Sequence, residues 1–260
     1  MSPRTLITLA AAALLALQAP ATVHAKVRGD MVRIQAGSYQ PLYGNGSTAR
    51  VQVASFRIDR DAVTRAQFQQ FVRANPVWSR SLVRSIMANR ATYLADWVND
   101  TDPGLVVPQD APVTSVSWFA ARAFCESKGK RLPNIAEWEY VAAASDRELD
   151  AARQPQFIQE LVTVYASRPK VLPPVYAGRS NIHGVRGLHD LVSEWVEDFN
   201  SVLVSDDSRG VGGRDHDMFC ASAAIGAVDP GNYPAFLRYA LRSGLSGRST
   251  LQSLGFRCAS

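Results

Sequence analysis

The sequence predicts one domain that mixes strands with helices and leaves much of its length in loops. Three observations lead there. The chain alternates apolar and polar residues at strand period in Met31–Tyr39 and again in Val51–Ile58. Between Ala111 and Ala144 the apolar residues recur instead at helical spacing, in two stretches joined by the short connector Gly129–Pro133. Finally, 260 residues with 47% hydrophobic content can bury a sizeable core, and neither a solenoid repeat nor a clear linker divides them.

Taken in order, residues 1–25 read as a secretory signal peptide. Arg4 supplies a positive start, Leu6–Leu17 is an apolar run too short for a comfortable membrane span, and Val23-His24-Ala25 is a small-residue cleavage site. Residues 26–260 form the mature domain, expected to be periplasmic or secreted, with no membrane span once the signal is removed. The two alternating segments follow, separated by the Gly44–Ser47 loop, with Val51, Val53, Phe56 and Ile58 as buried candidates. Thr64 can cap a helix carrying Phe68, Phe71 and Val72. Asn75–Asp110 offers one helical candidate, Ser81–Asn89, and then a polar loop in which Tyr93 and Trp97 either line a groove or pack beneath their own loop.

In the helix pair, Ser117 is a fitting N-cap for a helix whose face is Trp118, Ala121, Phe124 and Cys125, and Gly129 follows as a C-terminal stop. Asn134 can cap the second helix, where Glu137 and Glu139 sit among Ile135, Trp138, Tyr140 and Val141. Asp146–Arg168 reads as an amphipathic helix, Pro173–Gly178 as an extended passage, Asn181–Leu191 as turns, and Ser201–Gly213 as a glycine-rich loop.

The formal net charge is +5, and removing residues 1–25 takes away only Arg4, leaving +4. With no Lys/Arg run, nucleic acid is not an expected partner. Arg238, Arg242, Arg248 and Arg257 can form an anion-facing set or stay solvated. The mature histidines, His183, His189 and His216, match no zinc spacing, and neither a phosphate loop nor a nucleophile elbow occurs. Cys125, Cys220 and Cys258 are three, so in an oxidising compartment one is left over.

Four strings in the helix pair, Val116-Ser117-Trp118, Ala123-Phe124-Cys125, Lys130-Arg131-Leu132-Pro133 and Ala136-Glu137-Trp138-Glu139-Tyr140, together resemble the signature of the formylglycine-generating enzyme, or sulfatase-modifying factor, family. Gly187-Leu188-His189-Asp190-Leu191, Glu194-Trp195 and the closing Gly255-Phe256-Arg257-Cys258-Ala259 resemble it too. The resemblance covers Asp30 to Cys258. It implies an α+β domain related to the C-type-lectin type, rich in irregular loops. It is also similar to exported bacterial relatives found with pyoverdine maturation and nitrite-reductase clusters.

What the resemblance implies about chemistry is partly missing from this chain. The family joins the positions of Cys125 and Cys258 in a disulfide. It oxidises a cysteine of a client sulfatase to formylglycine at two redox cysteines that bind copper(I). Cys220 falls on the first of those positions, and Ala223–Gly226 holds no second cysteine. Asp217 stands where the family has a serine. A lone thiolate cannot make a two-sulfur copper site. Cys220 can instead bind copper with His216 or Met218, act as a single redox thiol beside Asp217 and Ser222, or be inert. The family's calcium loop is shortened here, leaving Asn181 and Asp190 as oxygen ligands or as turn residues. The iron motif of related sulfoxide synthases is absent.

The expectation is therefore an oxidoreductase-type factor acting on a peptide or protein client or a peptide-derived natural product, or maturing a periplasmic metalloenzyme or siderophore. The alternative is a non-catalytic peptide- or protein-binding module. Genuine sulfatase activation ranks third.

Overall fold

The computed structural model describes residues 31–42, 50–201 and 232–260. The alternating segments form four short strands, β1 (Met31–Ile34), β2 (Gly37–Tyr39), β3 (Val51–Val53) and β4 (Phe56–Asp59). They make one long antiparallel hairpin in a single register. Met31 faces Asp59, Ile34 faces Phe56, Gly37 faces Val53, and Tyr39 faces Val51. Ile34, Val53, Phe56 and Ile58 are buried, while Val51 is half-buried at the outer end. Gly37 is required by a close approach. A Cβ there would lie 2.2 Å from the Tyr140 hydroxyl.

Three helices begin where their capping residues predict. In α1 (Arg65–Ala74) the Thr64 hydroxyl accepts from the Gln67 amide while the Gln67 side chain accepts from the Thr64 amide. In α2 (Trp118–Ser127) the Ser117 hydroxyl accepts from the Ala120 amide, and Gly129 takes the left-handed φ of +67° that ends the turn. In α3 (Ile135–Ala142) Asn134 and Glu137 form a reciprocal capping box. Almost all of α3 is buried, Glu137 and Glu139 included, so it is an interior helix and not an amphipathic surface one. Beside it, α4 (Pro155–Ala166) packs on α5 (Tyr233–Ser243).

The C-terminal segment runs through the middle of the molecule. Leu254–Gly255 (β6) pairs in parallel with Ser193–Glu194 (β5). Cys258 and Ser260 then hydrogen-bond along β4 on one side, and Ala259 bonds Arg131 of the α2–α3 connector on the other. Phe256 closes an aromatic cluster with Phe68, Phe71 and Phe124, with ring centroids 5.4–6.1 Å apart. Next to it Cys125 and Cys258 form a disulfide across 133 residues of sequence. It ties the last residues of the chain to α2, as the resemblance implies.

Elsewhere the structure departs from the sequence reading. Ser81–Asn89 is a run of turns, not a helix. Its backbone bonds are drawn outward, with the Ser81 amide donating to Asp100 (2.8 Å) and the Asn89 amide to the Arg248 carbonyl (2.9 Å). Tyr93 and Trp97 are 0% and 2% exposed, which places them beneath their own loop and not in a groove. The amphipathic stretch Asp146–Arg168 is helical only over α4, and Pro173–Gly178 contains a 3-10 turn, Val175–Ala177. The Gly44–Ser47 loop and nearly all of Ser201–Gly213 lie outside the described residues. Among the described residues no helix is long and apolar enough to cross a membrane.

Candidate functional site

Two buried ion clusters meet on either side of one tryptophan. On α5, Arg238 and Arg242 are four residues apart and so share a face. Both reach Glu139 of α3. Arg238 donates from Nη2 to Oε2 at 2.7 Å, and Arg242 from Nη1 to Oε1 at 2.5 Å. Both guanidiniums also lie over the Trp138 ring, 5.5 and 5.0 Å from its centroid. The Trp138 indole N–H donates to Glu194 Oε2 at 2.8 Å. Glu194, on β5, is in turn held by Arg257, and both side chains are fully buried. Arg257 spends its remaining donors on the carbonyls of Asp59, Arg60 and Arg186. Of the four arginines read as anion-facing or solvated, three are therefore partners of the protein's own acids, Arg242 and Arg257 buried and Arg238 half-buried. Arg248 alone is exposed.

Burial alone would raise the Glu139 pKa, but Arg238 and Arg242 outweigh it and hold the carboxyl at about 2. Burial likewise works against the charge of Arg238, and Glu139 overcomes it, raising the guanidinium. Burial, reinforced by Arg238, pushes His189 down to about 3, so its imidazole is neutral. Its Nε2 lies 3.0 Å from the Ala142 carbonyl, an acceptor only, so Nε2 carries the proton. Nδ1 then accepts from the Tyr165 hydroxyl at 3.1 Å, and that oxygen accepts from Arg238 at 3.2 Å. The result is a closed chain from guanidinium to backbone.

A folded-state pKa below the unfolded one stabilises above the unfolded value and loses that contribution as pH falls through the folded value. For Glu139 the window runs from about 4.3 in the unfolded chain down to about 2. Glu139→Gln is expected to lower stability at pH 7 by about 3 kcal/mol. Its deficit should shrink as pH falls through that window, measured by urea midpoints at stepped pH. An unchanged midpoint at pH 7 would refute the assignment.

The residues expected from the sequence fare differently. Cys220, Asp217, Ser222 and His216 lie outside the described residues. The chain enters that interval after Ser201 and leaves it at Asn232, whose side chain accepts from the Ala235 amide to cap α5 and donates to the Ala152 carbonyl. Asn181 and Asp190 both line a cleft against α4. The Asn181 amide donates to the Val141 carbonyl and accepts from the His183 and Val185 amides. Asp190 accepts from the Arg179 amide. Calcium taking these oxygens would compete with the bonds that shape the loop. Among the described residues no three His, Cys, Asp or Glu side chains gather as a metal site.

Sequence reasoning missed Glu139, Glu194, Tyr165 and Arg168 as members of this region. Glu139 carried a faint signal, as an acid set in an otherwise apolar helix. Glu194 stood in the sequence only as part of the Glu194-Trp195 match, and Tyr165 and Arg168 carried no signal, because their hydrogen-bond partners lie 21 to 73 residues away in sequence.

A family model described as "Sulfatase-modifying factor enzyme 1-like domain" matches residues 18–260. The chain belongs to the sulfatase-modifying factor family. A relative from Bos taurus, an inactive C-alpha-formylglycine-generating enzyme 2, is 28% identical over 88% of this chain and 85% of its own length. The formylglycine-generating enzyme of Streptomyces coelicolor is also 28% identical, over 86% and 83%. The structure of PvdO from Pseudomonas aeruginosa overlays with a TM-score of 0.44 at 18% identity, covering 88% of this chain and 93% of that one. An active and an inactive family member are thus equally similar, so overall identity does not decide whether this member is a catalyst. Its site residues must.

Proposed function

We propose that this family member is an exported oxidoreductase-type factor that acts on a peptide or protein client, with Cys220 as its reactive group. The disulfide carries this reading. It takes Cys125 and Cys258, and the sequence holds three cysteines, so Cys220 has no other cysteine of its own chain to pair with. A disulfide also suits an oxidising compartment, as the signal-like residues 1–25 do. The client can equally be a peptide-derived natural product or an exported metalloenzyme under maturation, since one thiol beside Asp217, His216 and Ser222 does not distinguish them.

The expected thiol count is one per native chain and three after reduction under denaturing conditions. Titration with a chromogenic disulfide reagent reads it directly, and Cys220→Ala should bring the native count to zero. Copper(I) titration then asks whether the thiol binds metal. Stoichiometric uptake lost in Cys220→Ala supports the oxidoreductase. A silent thiol and no uptake overturn it.

The second reading is a non-catalytic peptide- or protein-binding module. The missing second cysteine favours it. Peptide capture without copper uptake would establish it. Sulfatase activation is tested by co-expression with a sulfatase and mass spectrometry of its cysteine.

A further inference from the structure

The native bridge skips a cysteine. Cys125 and Cys258 pair across 133 residues, and Cys220 lies between them in the sequence. A chain that is made and exported presents its cysteines in order, N-terminal first. Cys125 therefore meets Cys220 before Cys258 arrives, 38 residues later. At about 5–20 residues per second that lead lasts roughly 2–8 s, long enough for a disulfide to form under an efficient oxidant.

The fold does not shield Cys125 in that interval, because part of its cover arrives with Cys258. Phe256 packs edge-on against Phe124, the neighbour of Cys125, with ring centroids 5.4 Å apart. Arg257 locks onto Glu194. The Asp59 amide donates to the Cys258 carbonyl at 2.8 Å, and Ala259 exchanges two backbone bonds with Arg131 of the α2–α3 connector. With these contacts made, both bridge cysteines are 0% exposed. The same contacts set the direction of exchange. A Cys125–Cys220 bond would bring another segment to the place that Cys258 fills, and a close-packed interior has no room for both.

We infer that Cys220 is the first disulfide partner of Cys125 and is then displaced by Cys258, with a dithiol disulfide isomerase as the protein partner that speeds the exchange. The oxidant of the first step is a protein disulfide of the exporting compartment, which takes up two electrons and two protons as Cys125 and Cys220 join. The isomerase thiolate next attacks the Cys125 sulfur. The Cys125–Cys220 bond breaks, and Cys220 leaves as a thiolate that takes a proton. Cys258 gives up its proton and attacks the same Cys125 sulfur, and the isomerase leaves as the thiolate it began as. No net oxidation occurs, and Cys220 ends as the thiol. The isomerase matters because an ordinary cysteine, with a pKa of about 8.5, is mostly protonated at neutral pH and attacks slowly. The inference rests on the export reading above and not on what Cys220 does afterwards.

The test follows the full chain in bacterial cells with and without their periplasmic disulfide isomerase, carrying either its own residues 1–25 or a known export signal. Thiols are trapped with an alkylating agent at stepped times after synthesis, and disulfides are mapped by mass spectrometry without reduction. Cys125–Cys220 is expected early and gives way to Cys125–Cys258. Without the isomerase the yield of Cys125–Cys258 should fall severalfold. Cys220→Ser should reach that bridge directly, at equal yield in both strains. Cys125–Cys258 as the first species of the wild type, a yield independent of the isomerase, or the same dependence in Cys220→Ser overturns the proposal. Oxidised chain delivered by the known signal alone removes the export reading and leaves the exchange decided by the same map.

Discussion

Replacing Arg257 by alanine is expected to remove at least about 5 kcal/mol of stability, which is the whole margin of many domains. Arg257 is completely buried and makes three bonds to Glu194 with three more to the carbonyls of Asp59, Arg60 and Arg186. Its loss leaves Glu194 charged in the interior with the Trp138 indole as its remaining side-chain donor among the described residues. It also removes one of the cross-links between the turn after β4 and the loop before β5, where Arg186 still pairs with Asp61. Arg257→Lys should fold but lose about 3 kcal/mol, because an ammonium cannot fork toward a carboxylate and several carbonyls at once. Adding Glu194→Gln to Arg257→Ala should recover part of the loss, since an uncharged amide is less costly to bury unpaired. Urea midpoints and far-ultraviolet circular dichroism measure all three. An alanine variant that melts like the wild type would show that the pair is not what holds the C-terminal segment in place.

Opening the Cys125–Cys258 bridge is the second large effect expected. The bridge closes a loop of 133 residues, and in the chain-entropy description such a closure stabilises by about 4–5 kcal/mol. For a domain of this size that amounts to a fall in Tm of roughly 10–20 °C. The bridge also borders the Phe68, Phe71, Phe124 and Phe256 cluster, so the seam it covers is the packing between α1, α2 and the chain's end. Calorimetry with and without reductant, and on Cys125→Ala/Cys258→Ala, gives the comparison. Cys220→Ala serves as the control that should leave Tm unmoved. Equal melting of the oxidised and reduced protein would refute the bridge's role.

Local signals were legible wherever the physics is local. The Thr64, Ser117 and Asn134 caps, the stop at Gly129 and the alternation of β1–β4 involve neighbours within a few residues, so their spacing alone carries them. Ser81–Asn89 shows the boundary. Its helical spacing is real, but the Asn89 amide goes to the distant Arg248 carbonyl and not to a helical partner, and the segment forms turns.

The sequence by itself determined the mixed helix-and-strand domain and its caps, and through its resemblance to a family it pointed to the pairing of Cys125 with Cys258. Only the tertiary structure decided which arginines are spoken for. Arg257 is matched to Glu194, Arg238 and Arg242 are matched to one Glu139, and Arg168 hydrogen-bonds the Ser193 hydroxyl and the His189 carbonyl. The reason is physical. A charge's worth depends on what burial removes and on which opposite charge the fold brings within reach, and those partners lie 63 to 103 residues apart in sequence.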